Sequence, residues 1–83
     1  MILITGIAGF IGQHVANEFI KNGCSVVGAD IKSKPNNPEL GEYKHYQLDI
    51  NSLDFERVFQ ENDIECVIHL AANSSVPYSF ITS

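Results

Sequence analysis

The feature that most narrows the fold is the run Thr5-Gly6-Ile7-Ala8-Gly9-Phe10-Ile11-Gly12. It lies directly behind a short β-branched segment and directly ahead of an apolar pattern of helical period. Three glycines spaced Gly-x-x-Gly-x-x-Gly at such a junction answer three steric demands. Gly6 ends the strand where the chain must turn sharply. Gly9 has no Cβ to keep a bulky anion away from the backbone. Gly12 falls in the first helical turn, where a side chain would push the helix off the sheet. A helix that opens there offers unpaired N–H groups and its positive end, which suits a pyrophosphate.

The pattern around this run alternates strands with helices. Ile2-Leu3-Ile4-Thr5 forms a first strand. Ile11, Val15 and Phe19, with Ala16 and Ile20, recur at helical spacing through Asn22. Lys21 sits in the last turn, and Gly23 is placed for a left-handed cap. Residues 25–30 form a second strand that ends in Asp30. Pro35, Asn36, Asn37, Pro38 and Gly41 make residues 31–42 a loop, with room for one helical turn at most. Residues 45–49 form a third strand. Asn51 is a good N-cap for a second helix, with Asp54 in its first turn and Phe55, Val58 and Phe59 as its apolar stripe. Residues 66–72 are almost continuously apolar, as expected for a fourth, parallel strand covered on both faces. The predicted fold is therefore α/β, a parallel sheet of about four strands in the order 3-2-1-4 with helices on both faces.

Size and charge close off other classes. Eighty-three residues make one small domain. Five basic against ten acidic side chains leave a net charge of -5 with no basic cluster. Nucleic acid is not an expected partner. No apolar run approaches the roughly 20 residues needed to span a bilayer. Met1 to Ile11 lacks a basic leader and is not a signal peptide, so a cytoplasmic setting is expected. Cys24 and Cys66 lie far apart without neighbouring metal-type ligands, and read as two buried thiols in a reducing compartment. In the predicted strand order they flank strand one, too far apart for a disulfide.

Asp30 follows Gly12 by 18 residues, at the end of the second strand. A carboxylate there can accept hydrogen bonds from both hydroxyls of an adenosine ribose. With Asp49-Ile50 and His69-Leu70-Ala71-Ala72, the glycine string and Asp30 resemble the extended short-chain dehydrogenase/reductase family, most closely its NAD-dependent sugar-nucleotide epimerases and dehydratases. The resemblance covers residues 2 to about 80. It implies a partial Rossmann fold and NAD as cofactor. Gly6, Gly9, Phe10, Ile11 and Gly12 would cradle the pyrophosphate, Phe10 and Ile11 through their N–H groups. Asp30 would hold the adenosine ribose. Asp49 and Ile50 would border the adenine, and Leu70, Ala71 and Ala72 would line the nicotinamide ribose. Ser75 to Phe80 resembles the loop that leads toward a nucleotide-sugar substrate.

The family carries its acid–base chemistry on a Tyr-x-x-x-Lys pair. Here Tyr78 is followed four positions later by Thr82, and no lysine follows Lys44. No catalytic residue is assigned, and no metal. Residues 1–83 are expected to be the N-terminal half of an NAD-binding domain, truncated after strand four. The leading expectation is NAD binding as part of an epimerase or dehydratase. A non-catalytic dinucleotide-binding module, or a half-domain completed by another chain, is the alternative. Strand four would then be a bare apolar edge, which invites association with another copy.

Other polar residues carry plainer readings. His69 is a structural imidazole within a covered strand, and His14 is a solvated helix residue. Lys32 and Lys34 are loop lysines in water rather than partners of a 2′-phosphate. Ser74 and Ser75 have two equal readings, contact with substrate in a full-length relative or a plain loop pair, and Asn73-Ser74-Ser75 matches a glycosylation sequon by chance. Asp54, Glu56, Glu61, Asp63 and Glu65 form the solvated face and end of the second helix.

Overall fold

The computed structural model describes residues 1–70 and 81–82. Its elements run β1 (Ile2–Thr5), α1 (Phe10–Lys21), β2 (Val26–Asp30), β3 (Lys44–Gln47), α2 (Phe55–Glu61), β4 (Cys66–His69) and β5 (Ile81–Thr82). The sheet order is β3-β2-β1-β4-β5. The first four strands are mutually parallel, with Ile2 opposite both Val26 and Cys66. The order 3-2-1-4 expected from the sequence is thus present.

Alternation along the strands divides the core between two faces. Ile4, Val26 and Ile68 pack with Ile7 and Ala16 beneath α1, joined by Val15, Phe19 and Ile20. Leu3, Val27 and Ala29 turn the other way, toward Tyr46 of β3 and Val58 of α2. Ile7, which is fully buried, lies over Gly28 of β2: a Cβ there would come within 2.5 Å of its side chain. α1 ends as the sequence implies. Gly23 has φ 83°, its N–H bonds Ile20 O at 3.0 Å, and Cys24 N–H bonds Phe19 O at 3.0 Å. This is a Schellman cap. A Cβ on Gly23 would touch nothing, so Gly23→Ala isolates the cost of a left-handed backbone. That substitution should cost ~1–2 kcal/mol in a urea titration; a neutral result would show that the cap does not need glycine.

Several expectations need correction. Ile11 is not part of the buried stripe but 62% exposed. The inward face is set by Gly12 and Ala16, four residues apart, because Gly12 must seat against the turn before the helix. α2 begins at Phe55, with Asp54 in the cap position and no side-chain cap bond. Asn51 does not cap it. The Asp49 carboxylate accepts the Asn51 N–H at 2.8 Å, and turns continue through Ser52 to Phe55. β3 stops at Gln47, after which Leu48 N–H bonds Asp30 O at 2.8 Å and the chain turns away. β4 ends at His69, short of the expected residue 72. The edge of β4 is not bare either, since β5 pairs antiparallel to it, Val67 opposite Thr82 and Ile68 opposite Ile81. Cys24 and Cys66 are both free but half-buried rather than buried. Thiol titration of the folded protein should count two reactive groups, and a stable intramolecular bridge would contradict the strand order.

A polar clamp joins β3 to α2. The Tyr46 hydroxyl donates to Glu61 Oε1 at 2.6 Å, and Asn62 Nδ2 donates to the same hydroxyl at 3.0 Å and to Val58 O at 2.8 Å. The Tyr46 hydrogen bond holds the Glu61 carboxyl below its ordinary value of 4.5, aided by Arg57 and Lys44 and opposed by partial desolvation. A carboxyl depressed in the folded state stabilises the fold above its unfolded pKa, and that contribution is lost as pH falls through the folded one. Tyr46→Phe should therefore lower the melting temperature near neutrality, with the gap from the unmodified chain closing below pH 4.5. A gap that stays constant with pH would place the effect in packing instead.

Candidate functional site

In a parallel sheet, ligands bind beyond the carboxyl ends of the strands, where the connections diverge. Here the ends of β1, β2, β3 and β4 border one groove of about 430 Å³, lined by Gly6, Gly9, Asp30, Ile31, Lys32, Leu48, Asp49, Ile50, Asn51 and Leu70 together with Ala29. The structure thus brings together six residues singled out from the sequence: Gly6, Gly9, Asp30, Asp49, Ile50 and Leu70.

The glycine turn is built by three different constraints. Gly6 has φ 75°, a left-handed conformation that L side chains resist. Gly9 is the N-cap of α1 in extended conformation, and no side chain caps the helix. A Cβ on Gly9 would lie 3.4 Å from Gly6 O with nothing else in its way, so the space above it is open to a ligand. A Cβ on Gly12 would fall 2.2 Å from Gly6 O and 2.7 Å from Ile7 Cα. Gly12 therefore serves the close seating of the helix on its own turn. The first intrahelical bond runs from Gln13 N–H to Gly9 O at 3.0 Å. Helix geometry leaves the N–H groups of Phe10, Ile11 and Gly12 ahead of that bond without intrahelical acceptors. The side chains of Phe10 and Ile11 do not line the groove but are exposed at the start of α1, Phe10 to 88%.

Asp30 borders the groove against the glycine turn, and its carboxylate is already oriented. Oδ2 accepts the Ala8 N–H at 2.9 Å, and Oδ1 accepts the Lys32 N–H at 2.9 Å. Each carboxylate oxygen has two lone pairs, so capacity for further donors remains. Asp49 is exposed at the rim, and Ile50 is half-buried beside it. Lys32 borders the groove. Lys34 does not: its Nζ lies 5.0 Å from the centre of the Tyr43 ring. Burial, and secondarily the Asp30 charge, pushes the Tyr43 hydroxyl up to about 12. His14 is exposed, as expected. His69 pairs with Thr5, Nδ1 to Oγ1 at 2.7 Å, and Leu70 N–H reaches the same oxygen at 3.1 Å. Ala71, Ala72, Ser74, Ser75 and Tyr78 lie outside the described residues.

The sequence reading missed Ile31, Leu48 and Asn51 as groove residues. A signal was present: Ile31 and Leu48 directly follow β2 and β3, and Asn51 lies on the same connection out of β3, where the topology places ligands.

Strand order, switch point and glycine turn define a dinucleotide-binding Rossmann unit. The chain belongs to the NAD dependent epimerase/dehydratase family, whose model matches residues 2–83. It is 36% identical over 87 residues to dTDP-glucose 4,6-dehydratase of Salmonella typhimurium, covering 94% of this chain and 24% of that protein. It superposes on UDP-glucose 4-epimerase of Thermotoga maritima, solved with UDP-glucose, at a TM-score of 0.76 and 39% identity, covering 89% of this chain and 25% of that one. A UDP-glucose 4-epimerase of Thermus thermophilus, solved with NAD, gives 0.75 and 30%, covering 90% and 25%. The chain spans about a quarter of the length of the curated relatives it matches. Among the described residues, no helix is long and apolar enough to cross a membrane, and no cluster of metal-type ligands occurs.

Proposed function

We propose that this chain binds NAD in the groove at the carboxyl ends of β1 to β4, and that it serves as the cofactor-binding part of a sugar-nucleotide epimerase or dehydratase. One observation carries the cofactor reading. An uncapped helix N-terminus and an oriented carboxylate, Asp30, flank the same groove, spaced by a glycine turn that leaves open room above Gly9. The amides of Phe10 and Ile11 would donate to the pyrophosphate, with Gly6 and Gly9 allowing its approach. Asp30 would accept from the adenosine ribose. Asp49 and Ile50 border the place for adenine, with Asp49 accepting from its amine. Leu70 faces the nicotinamide side, with Ala71 and Ala72 assigned there by family resemblance.

Bound NAD supplies a hydride acceptor for a sugar carbon. The residues on this chain bind and orient it. The substrate class is a nucleotide sugar, as in the relatives. Residues 1–83 contain no Tyr-x-x-x-Lys pair, and a positioned acid–base group contributes roughly 10²–10⁴-fold to such steps. The chain by itself should show no epimer formation from UDP-glucose, and turnover by the purified chain would overturn this division of labour. NAD binding itself is tested by melting the protein with and without cofactor. A ligand at 100 times its Kd should stabilise the fold by about 2.7 kcal/mol, and an unchanged melting temperature at millimolar NAD would reject the reading.

A further inference from the structure

Two side chains outside the groove hold the glycine turn in place. Gln13, on the second turn of α1, donates from Nε2 to Ala8 O at 2.9 Å. Its Oε1 accepts from Asn37 Nδ2 at 3.0 Å. Asn37 Oδ1 in turn accepts the Glu39 N–H at 3.0 Å. The polarity of this relay is fixed at both ends, because a backbone N–H can only donate and a carbonyl can only accept. Both amide orientations follow from that, with no freedom to flip. All the bonds run one way, from Glu39 N–H to Ala8 O, an arrangement in which each bond polarises the next.

The peptide at the end of the relay is the one that matters for an anion. Ala8 C=O and Gly9 N–H belong to the same peptide plane, and that N–H bonds Gly6 O at 3.2 Å. On the other side of the same residue, Ala8 N–H is held by Asp30. With both flanking peptides tied, the direction of Gly9 is set, and with it the aim of the Phe10 and Ile11 amides. Neither Gln13 nor Asn37 lines the groove. Asn37 lies in the long loop after β2, far along the chain from the glycines.

We propose that Gln13 and Asn37 are positioning residues for the dinucleotide pyrophosphate: they orient the glycine turn through the Ala8–Gly9 peptide and tie the loop after β2 to cofactor affinity. This rests on the NAD reading above. An oriented donor set costs less to order on binding than a loose one, so the relay acts on phosphate-bearing ligands and not on the nucleoside alone.

The test titrates NAD, ADP and adenosine into the unmodified chain, Gln13→Met and Asn37→Ala, with circular dichroism to verify that each folds. Gln13→Met keeps the length of the side chain and removes both bonds. Asn37→Ala sits on the loop and spares the helix. Each single variant should bind NAD and ADP about fivefold more weakly, because each loosens the single side-chain bond that reaches the turn, Gln13 to Ala8 O, by an amount of the order of one ordinary hydrogen bond; each should bind adenosine unchanged. The double variant should lose no more than Gln13→Met alone, since the two act in series. Unchanged NAD affinity in both variants, or an equal loss for adenosine, overturns the relay while leaving the cofactor reading intact. No NAD binding by the unmodified chain overturns both. If Gln13→Met does not fold, Asn37→Ala decides by the same ligand contrast.

Discussion

Asp30→Ala is expected to weaken NAD binding by about one to two orders of magnitude. The net worth of one hydrogen bond to a charged partner, ~1.5–3 kcal/mol, gives that range at ~1.4 kcal/mol per tenfold change. Two losses are combined in this substitution. The ribose hydroxyls lose their acceptor, and the Ala8 and Lys32 amides lose the carboxylate that now orients them. The same change should narrow the gap between NAD and NADP. The carboxylate of the unmodified chain would meet a 2′-phosphate with like charge, while the Lys32 ammonium is a flexible point charge rather than a bidentate clamp. Affinities for both cofactors, measured with and without the substitution, decide the matter. Unchanged NAD affinity in Asp30→Ala would remove the ribose role.

Gly12→Ala should be the most damaging small substitution in the fold. Its Cβ would fall 2.2 Å from Gly6 O, 2.7 Å from Ile7 Cα and 2.9 Å from Gly6 C, all of them backbone atoms. No side chain can swing aside to make room, so the helix must lift from its own turn. Overpacking of this kind costs ~1–3 kcal/mol, occasionally more, against a total of roughly 0.05–0.15 kcal/mol per residue. For a domain of this size each kcal/mol moves the melting temperature by about 4–8 °C, so a fall on the order of 10–20 °C is expected. Gly9→Ala is the control. Its Cβ would meet only Gly6 O at 3.4 Å, and it should fold normally while binding NAD less well. A Gly12→Ala chain that melts like the unmodified one would show that the turn is looser than its geometry indicates.

How far the sequence discloses this architecture depends on the scale of the interaction involved. β1, β2 and the course of α1 are legible because burial forces a strict apolar pattern on them, and Gly23 because a left-handed residue leaves few alternatives. Gly6, Gly9 and Asp30 are legible because their spacing follows from turn and strand lengths. The start of α2 is not. Asn51 is a good cap by type, but an Asx turn from the Asn51 N–H to the Asp49 carboxylate and the turns that follow at Ser52 and Phe55 delay the helix to Phe55. Ile11 is misplaced for a different reason. The face of a helix is set by its tightest contact, and at Gly12 that contact involves an absent side chain. The relay from Asn37 through Gln13 to Ala8 joins residues 24 and five positions apart, and no local pattern in the chain announces it. β5 pairs from beyond a stretch with no periodic signal, so the edge of β4 is bare only when the sequence is read strand by strand.

We propose that the groove at the carboxyl ends of β1 to β4 is an NAD site whose selectivity is set by Asp30. Calorimetric titration of the unmodified chain with NAD, and separately with NADP, tests it most directly. Saturable binding of one NAD per chain is expected, with NADP weaker by at least the tenfold that ~1.4 kcal/mol represents. Equal or tighter binding of NADP, or no heat with either cofactor, would contradict it.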